Sequence, residues 1–219
     1  MRKIIGSVFQ SLDGVMQAPG GPSEDWTGSF KLGGWLWPLG DDVTDAWIGE
    51  LFGGAYDLLL GRKTYEIFAA YWPYVDAGNP IAKGFNAAGK YVLTHDDDSL
   101  PWENSHRLAD VAAVAALKNS DGPDLIIQGS STLYPALLAA GLLDRLTTMT
   151  YPVILGSGKR VFGTGTPPRT LRLVGHQVSP KGTIVAHYEP AGAVETGSFA
   201  AIKPSEREQA RQQRMKRED

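Results

Sequence analysis

Apolar and polar positions follow two rhythms along this chain. Residues 3–9 (KIIGSVF), 57–61 (DLLLG), 90–95 (KYVLTH) and 123–129 (PDLIIQG) are short, nearly continuous apolar runs. Runs of that length, bounded by polar or glycine residues, suit strands buried on both faces. Between them lie stretches with helical spacing: residues 42–54, started by Asp41 or Asp42, then 63–70, the alanine-rich 110–118, and 130–141, closed by Gly141. Residues 145–155, 170–178 and 183–189 read as late strands, and the SPKG turn between the last two makes them a hairpin. Alternation followed by a run of strands predicts an α/β sandwich with a mostly parallel centre and an antiparallel edge.

Two segments fall outside this pattern. Gln10 to Gly40 is rich in Gly, Pro and Trp, and a loop of that length inside a compact domain is usually functional or disordered. Trp26, Trp35 and Trp37 within it argue against disorder. After about Pro190 large apolar residues almost vanish. Residues 1–190 therefore read as a single domain, and 191–219 as a charged, flexible tail or frayed helix. The acids of the tail are interleaved with its bases, which weighs against nucleic-acid binding.

Composition narrows the chemistry. The chain has 219 residues, a net charge of −3 and a pI of about 5.8, so no global field draws it to nucleic acid or an acidic membrane. There are no cysteines, which excludes disulfides, thiolate metal sites and a cysteine nucleophile. Zinc-dependent base deamination goes with them, because its signature needs cysteine ligands. His95, His106, His176 and His187 are not spaced as ligands on one helix, so no metal is expected. No apolar run reaches the roughly 18 residues of a membrane span, and the N-terminus has no leader pattern. The expectation is a soluble cytoplasmic protein acting on a small molecule.

Two places share one design. Gly61-Arg62-Lys63-Thr64 and Gly129-Ser130-Ser131-Thr132 each follow a buried strand with glycine and then polar donors at a helix start. Free N–H groups at such starts bind anions, and glycine allows close approach. Two such turns at neighbouring strand ends suit a dinucleotide: one cradles its pyrophosphate, the other offers cations to a further phosphate. Neither matches G-x-G-x-x-G. The GSGK stretch at 156–159 lacks phosphate-loop spacing and reads as a tight turn.

SLDG (11–14), LLLGRKTYE (58–66), YVLT (91–94), LIIQGSSTLYPALL (125–138) and PVILGSGKRVF (152–162), in that order, resemble the dihydrofolate reductase-like superfamily. The likeness is nearest to stand-alone relatives of the C-terminal reductase domain of the riboflavin-biosynthesis deaminase–reductase. It implies a dihydrofolate reductase-like sandwich: a twisted, mostly parallel sheet of about eight strands, an antiparallel C-terminal hairpin, and helices on both faces. It implies NADPH, with Gly61, Arg62, Lys63 and Thr64 at the 2′-phosphate and pyrophosphate. Thr94 and His95 would lie at the adenine ribose, and Gly129, Ser130, Ser131, Thr132 and Leu133 at the pyrophosphate. The implied reaction is hydride transfer to a C=N or C=O of a small, pterin- or pyrimidine-like substrate.

For the proton source the resemblance offers Asp45, with Thr44 at the equivalent place in a register one residue away, and Asp13 as a rival. Tyr134 and Trp26 would line the substrate pocket, under a tryptophan-rich loop that closes over it. A homodimer is implied as well. Reduction of a ribosylamino-pyrimidine phosphate in the riboflavin pathway, dihydrofolate reduction, and a non-catalytic nucleotide-binding module are the alternatives. The first would need a substrate-phosphate site, for which Lys159, Arg169 and Arg172 are available.

Overall fold

The computed structural model describes residues 1–200 and 202–218. One eight-stranded sheet carries the fold. Its strands are β1 (Ile4–Ser11), β2 (Tyr56–Gly61), β3 (Lys90–Leu93), β4 (Ser105–Leu108), β5 (Asp124–Gln128), β6 (Arg145–Tyr151), β7 (Leu171–Val178) and β8 (Ile184–Pro190). They lie in the order β4-β3-β2-β5-β1-β6-β8-β7. Every pairing from β4 to β6 is parallel, and β8 runs antiparallel to both β6 and β7. The helices are α1 (Asp42–Leu51), α2 (Arg62–Ala69), α3 (Pro80–Ala87), α4 (Val111–Lys118), α5 (Leu133–Ala139) and α6 (Glu206–Glu218). This is the α/β sandwich that the residue pattern predicts, with the eight strands and C-terminal hairpin of the dihydrofolate reductase-like fold that the resemblance implies.

The central strands β1, β2 and β5 are largely apolar because both faces of the sheet are covered there. Ile4, Val8, Leu59, Leu125 and Ile127 pack with Leu133, Tyr134, Leu137 and Leu138 of α5 and Val114 of α4. On the other face Leu58, Leu60, Val92 and Ile126 pack with Tyr65 of α2 and Phe85 of α3. A third cluster joins the end of β6 to the long loop, with Met149 and Tyr151 against Val15, Phe30 and Trp35. Each fully buried leucine stabilises the fold by about 1.5–3 kcal/mol before entropy is counted.

The structure adds two elements that the residue pattern does not flag. Helix α3 starts at Pro80, and its cap Asn79 accepts from the N–H groups of Ile81 and Ala82 at 3.0 Å each. Strand β4 is a short edge strand, SHRL, without an apolar run. Strand β6 stops at Tyr151, short of the expected 155, because Pro152 has no N–H to continue the ladder. Helix α5 begins only at Leu133, since Gly129 and Ser130 take left-handed angles (φ 80° and 58°). In the tail, α6 forms as a solvated helix with no buried side chain and an Arg211–Glu208 pair.

Candidate active site

Strands β1, β2, β3 and β5 end on the same side of the sheet, where the connections run outward to β3 on one side and to β6 on the other. That is where open parallel sheets bind ligands. A cleft of about 700 Å³ opens there. Phe9, Gly61, Leu93 and Gln128, one from each strand end, line it. Arg62, Lys63 and Thr64 of α2 border it, as do Gly129–Thr132 and Thr94–Asp96. Phe52, Phe68, Trp72 and Phe85 give it an aromatic wall, and Met16–Gly20, Glu24, Asp25 and Leu36 form the opposite rim. The geometry thus brings both glycine-led turns and the Thr94–His95 strand end into one cavity.

The two turns are also bonded to each other. Ser130 Oγ accepts the Gly61 N–H at 2.9 Å, tying the end of β2 to the end of β5. A non-glycine residue in the left-handed region costs roughly 1–2 kcal/mol, which this buried bond offsets in part. Helix α2 has no side-chain cap, so its first-turn N–H groups are left for a ligand or water. Arg62 is half-exposed and pairs with Glu66 (2.7 Å), Asp96 (2.8 Å) and Asp98 (3.3 Å). Lys63 is exposed and has no carboxylate partner among the described residues. Leu133 lies behind the turn in the core and does not border the cleft.

The long loop is pinned to the core. Trp35 Nε1 donates to the Gln17 carbonyl at 2.9 Å, and Gly34 N to the Ala18 carbonyl at 2.8 Å. Gln17 donates to the Asp25 and Thr27 carbonyls and accepts from Lys159 N. A Cβ on Gly33 would come within 2.5 Å of the Gly21 carbonyl oxygen, so the two glycine pairs of the loop press backbone against backbone. These contacts pin as one rim of the cleft the loop that the resemblance expects to close over it. Trp26 is 68% exposed and Trp37 86%, and neither reaches the cleft.

Three further expected site residues lie outside the cleft. Tyr134 is fully buried in the α5 core, its hydroxyl 3.4 Å from the Ser7 carbonyl. Asp45 is an exposed residue in the first turn of α1. Thr44, at the place of the other register, is spent in a capping box with Asp41. Asp13 is a clasp between loops: its carboxylate accepts from Ser11 Oγ (2.7 Å), Leu155 N (3.0 Å), Gly156 N (2.9 Å) and Arg160 (3.2 Å). The Ser11 bond, then the backbone donors, hold its carboxyl well below the ordinary range, at about 2.

Two residues that the sequence pattern did not flag stand in the cleft. Three carboxyl side chains line it among the described residues: Glu24, Asp25 and Asp96. Asp25 is bound to Lys159 Nζ (2.5 Å) and Thr27, and Asp96 to Arg62. Glu24 has one oxygen, Oε2, held by the N–H groups of Gly20 (2.6 Å) and Gly21 (3.1 Å), and the other free. Burial raises its pKa above the usual carboxylate value, and the neighbouring Asp25 adds to the shift. Gln128, at the end of β5, has its buried Oε1 without a hydrogen-bond partner. The GGPSED stretch and the glutamine before Gly129 were the only signals of these two, and neither has a period.

The sequence matches the RibD C-terminal domain family over residues 2–185, and the chain belongs to that family. It is 27% identical over 179 residues to the uncharacterized protein YwjB of Bacillus subtilis (strain 168), covering 80% of this chain and 90% of that one. The fold is similar to a putative riboflavin biosynthesis protein from Shewanella sp. PV-4, with a TM-score of 0.63, 19% identity, and 86% and 99% of the two chains covered. It is also similar to dihydrofolate reductase from Enterococcus faecalis complexed with NADP(H) and RAB-propyl, with a TM-score of 0.52, 15% identity, and 86% and 96% covered. Family and neighbours are of the riboflavin and dihydrofolate reductase type. No helix among the described residues is long and apolar enough to cross a membrane.

Asp13 gives this region a pH signature. Asp13→Asn should lower the thermal midpoint at pH 7. The folded-state carboxyl sits at about 2 against 3.8 in the unfolded chain, so its contribution is complete above the unfolded value and disappears as pH falls through the folded one. Melts of wild type and variant should converge across that acid window; a constant gap would mean that the clasp does not depend on charge.

Proposed function

We propose that this protein is an NADPH-dependent reductase that transfers a hydride to a C=N or C=O of a small heterocyclic substrate. The observation that carries the reading is the single cleft bordered by both glycine-led turns, with Ser130 Oγ bonded to Gly61 N between them. The cleft suits a dinucleotide. Fixed N–H groups and cations lie at one side, an aromatic wall at another, and the unpaired Gln128 Oε1 could accept from a carboxamide. When bound, the reduced dinucleotide supplies the hydride. Arg62, Lys63, Thr64 and the Gly129–Thr132 turn bind its phosphates, and Thr94 and His95 border its ribose.

Glu24 is the proton source in this reading. With Oε2 accepting from two N–H groups, a proton on Oε1 can be handed to the substrate nitrogen or oxygen. The narrower riboflavin-pathway reading is less well supported, because its substrate phosphate needs a cation. Of Lys159, Arg169 and Arg172 only Lys159 lines the cleft, and it is paired with Asp25. Arg172 is bound to Glu189. A binding module without turnover would keep the phosphate contacts and have no need of Glu24. We also propose a homodimer through the outer sheet edge, where Leu173, Val174, Val178 and Ile184 are exposed on β7 and β8.

Titration with NADPH and with NADH tests the cofactor: absence of binding of either at micromolar concentration defeats the reading. Replacing Arg62 and Lys63 together with alanine should weaken NADPH by tenfold or more and NADH by little, since each charged phosphate bond is worth about 1.5–3 kcal/mol. Glu24→Gln should cut turnover of dihydrofolate or a pyrimidine substrate by roughly 10²–10⁴-fold with dinucleotide binding intact. Wild-type activity should fall as pH rises through the raised Glu24 pKa. Unaltered turnover in the variant would leave the proton to solvent. Sedimentation equilibrium should give twice the chain mass of 23.6 kDa; a monomer at micromolar concentration ends the dimer proposal.

A further inference from the structure

Arg62 does not wait for a phosphate with its charge unmet. Its Nε lies 2.8 Å from Asp96 Oδ2, and its NH1 lies 2.7 Å from Glu66 and 3.3 Å from Asp98. Glu66 is one turn further along α2, whereas Asp96 and Asp98 come from the loop after β3. Asp96 alone of the three lines the cleft, beside Thr94 and His95. Its own N–H is held by Thr94 Oγ1 at 3.1 Å, which fixes its backbone to the strand end.

In Rossmann-type dinucleotide sites an acid near the adenosine ribose accepts from the 2′-hydroxyl and marks NADH, while an arginine there takes the 2′-phosphate and marks NADPH, and the same electrostatics apply to any site that holds the ribose between these two groups. Here the two markers are ion-paired to each other. Resting on the dinucleotide reading above, we propose that Asp96 is the residue that sets the preference between NADPH and NADH. With a 2′-hydroxyl, the Arg62–Asp96 pair stays closed and the free lone pairs of Asp96 accept the hydroxyl proton. With a 2′-phosphate, Arg62 must leave Asp96 for the phosphate, and the Asp96 carboxylate is left facing a like charge a few ångströms away. The phosphate therefore recovers only part of what an unpaired arginine would give. Lys63, with no carboxylate partner among the described residues, supplies the remainder. Wild type should accordingly accept both dinucleotides, with a modest lean toward NADPH.

The pairs are exposed, with Arg62 at 40%, Asp96 at 55% and Asp98 at 78%, so each is individually weak and opens without disturbing the fold. That makes Asp96→Asn a clean variant. It keeps the shape, removes the like charge, and can donate to a phosphate. Asp98→Asn, further from Arg62 and outside the cleft, is the matched control.

Calorimetric titration of wild type, D96N and D98N with NADPH, NADH, 2′,5′-ADP and 5′-AMP decides the matter without any substrate. D96N should raise the NADPH-to-NADH affinity ratio by about tenfold, one opposing charge at short range in a solvated site, and the 2′,5′-ADP-to-5′-AMP ratio in parallel. D98N should move both ratios by less than about threefold. If D96N leaves the ratios within twofold of wild type while NADPH still binds, Asp96 does not set the preference. If D98N shifts them as much as D96N, a diffuse loop charge is responsible and the assignment to Asp96 is wrong. Wild type that binds none of the four ligands overturns the dinucleotide reading itself, a result that differs from an unchanged ratio.

Discussion

The hydrogen bond from Gly61 N to Ser130 Oγ is the contact around which the site is organised. Strands β2 and β5 are neighbours in the sheet although residues 62–123 separate them in sequence. Parallel pairing brings their ends to one side, but it does not fix how the chain leaves each strand. The serine hydroxyl does so by locking one exit against the other. It requires Ser130 in the left-handed region, directly after a left-handed Gly129, and that pair of angles delays α5 until Leu133. The backbone N–H groups of Ser130, Ser131 and Thr132 are thereby kept out of the helix and left beside the cleft, while that of Gly129 donates to the Ser7 carbonyl. A strained residue, a late helix start and a turn with free N–H groups are three aspects of one constraint.

Charges around the cleft follow the same logic of prior engagement. Lys159 is held by Asp25, and Arg62 by the acids of the β3 loop. A pocket with many ionic side chains thus presents few unmet charges to solvent. Glu24 is the exception among its carboxyls, with backbone donors on one oxygen and nothing on the other. Partial burial and the adjacent Asp25 favour its neutral form.

The sheet was legible because a strand buried on both faces needs an unbroken apolar run, and LLLG and LIIQG have no other comfortable place. The two glycine-led turns were legible because glycine followed by donors at a strand end is a local pattern. What stayed hidden was set by contacts distant in sequence. Asp13 has a glycine after it and looks free, but its partners Leu155, Gly156 and Arg160 lie some 140 residues on. Tyr134 sits at helical spacing beside the turn, and only the packing against Gly6, where an added Cβ would meet the ring at 2.6 Å, reveals that it faces the core. Edge strand β4 is polar because one of its sides has no neighbour, so it carries no apolar signature. Glu24 had no periodic signal at all; its place in the cleft depends on the shape of a turn.

The pinned rim has a kinetic meaning. A lid that opens and shuts imposes its own clock on entry and exit, and product escape often waits for it. Here Trp35, Gln17 and the glycine contacts already hold Met16–Gly20 in place before anything binds. Ligand capture then carries little ordering entropy, and the mouth of the cleft stands open to diffusion. In the proposed dinucleotide reading, release would be governed at the phosphate end, by Arg62 and Lys63, and would respond to ionic strength more than to loop sequence.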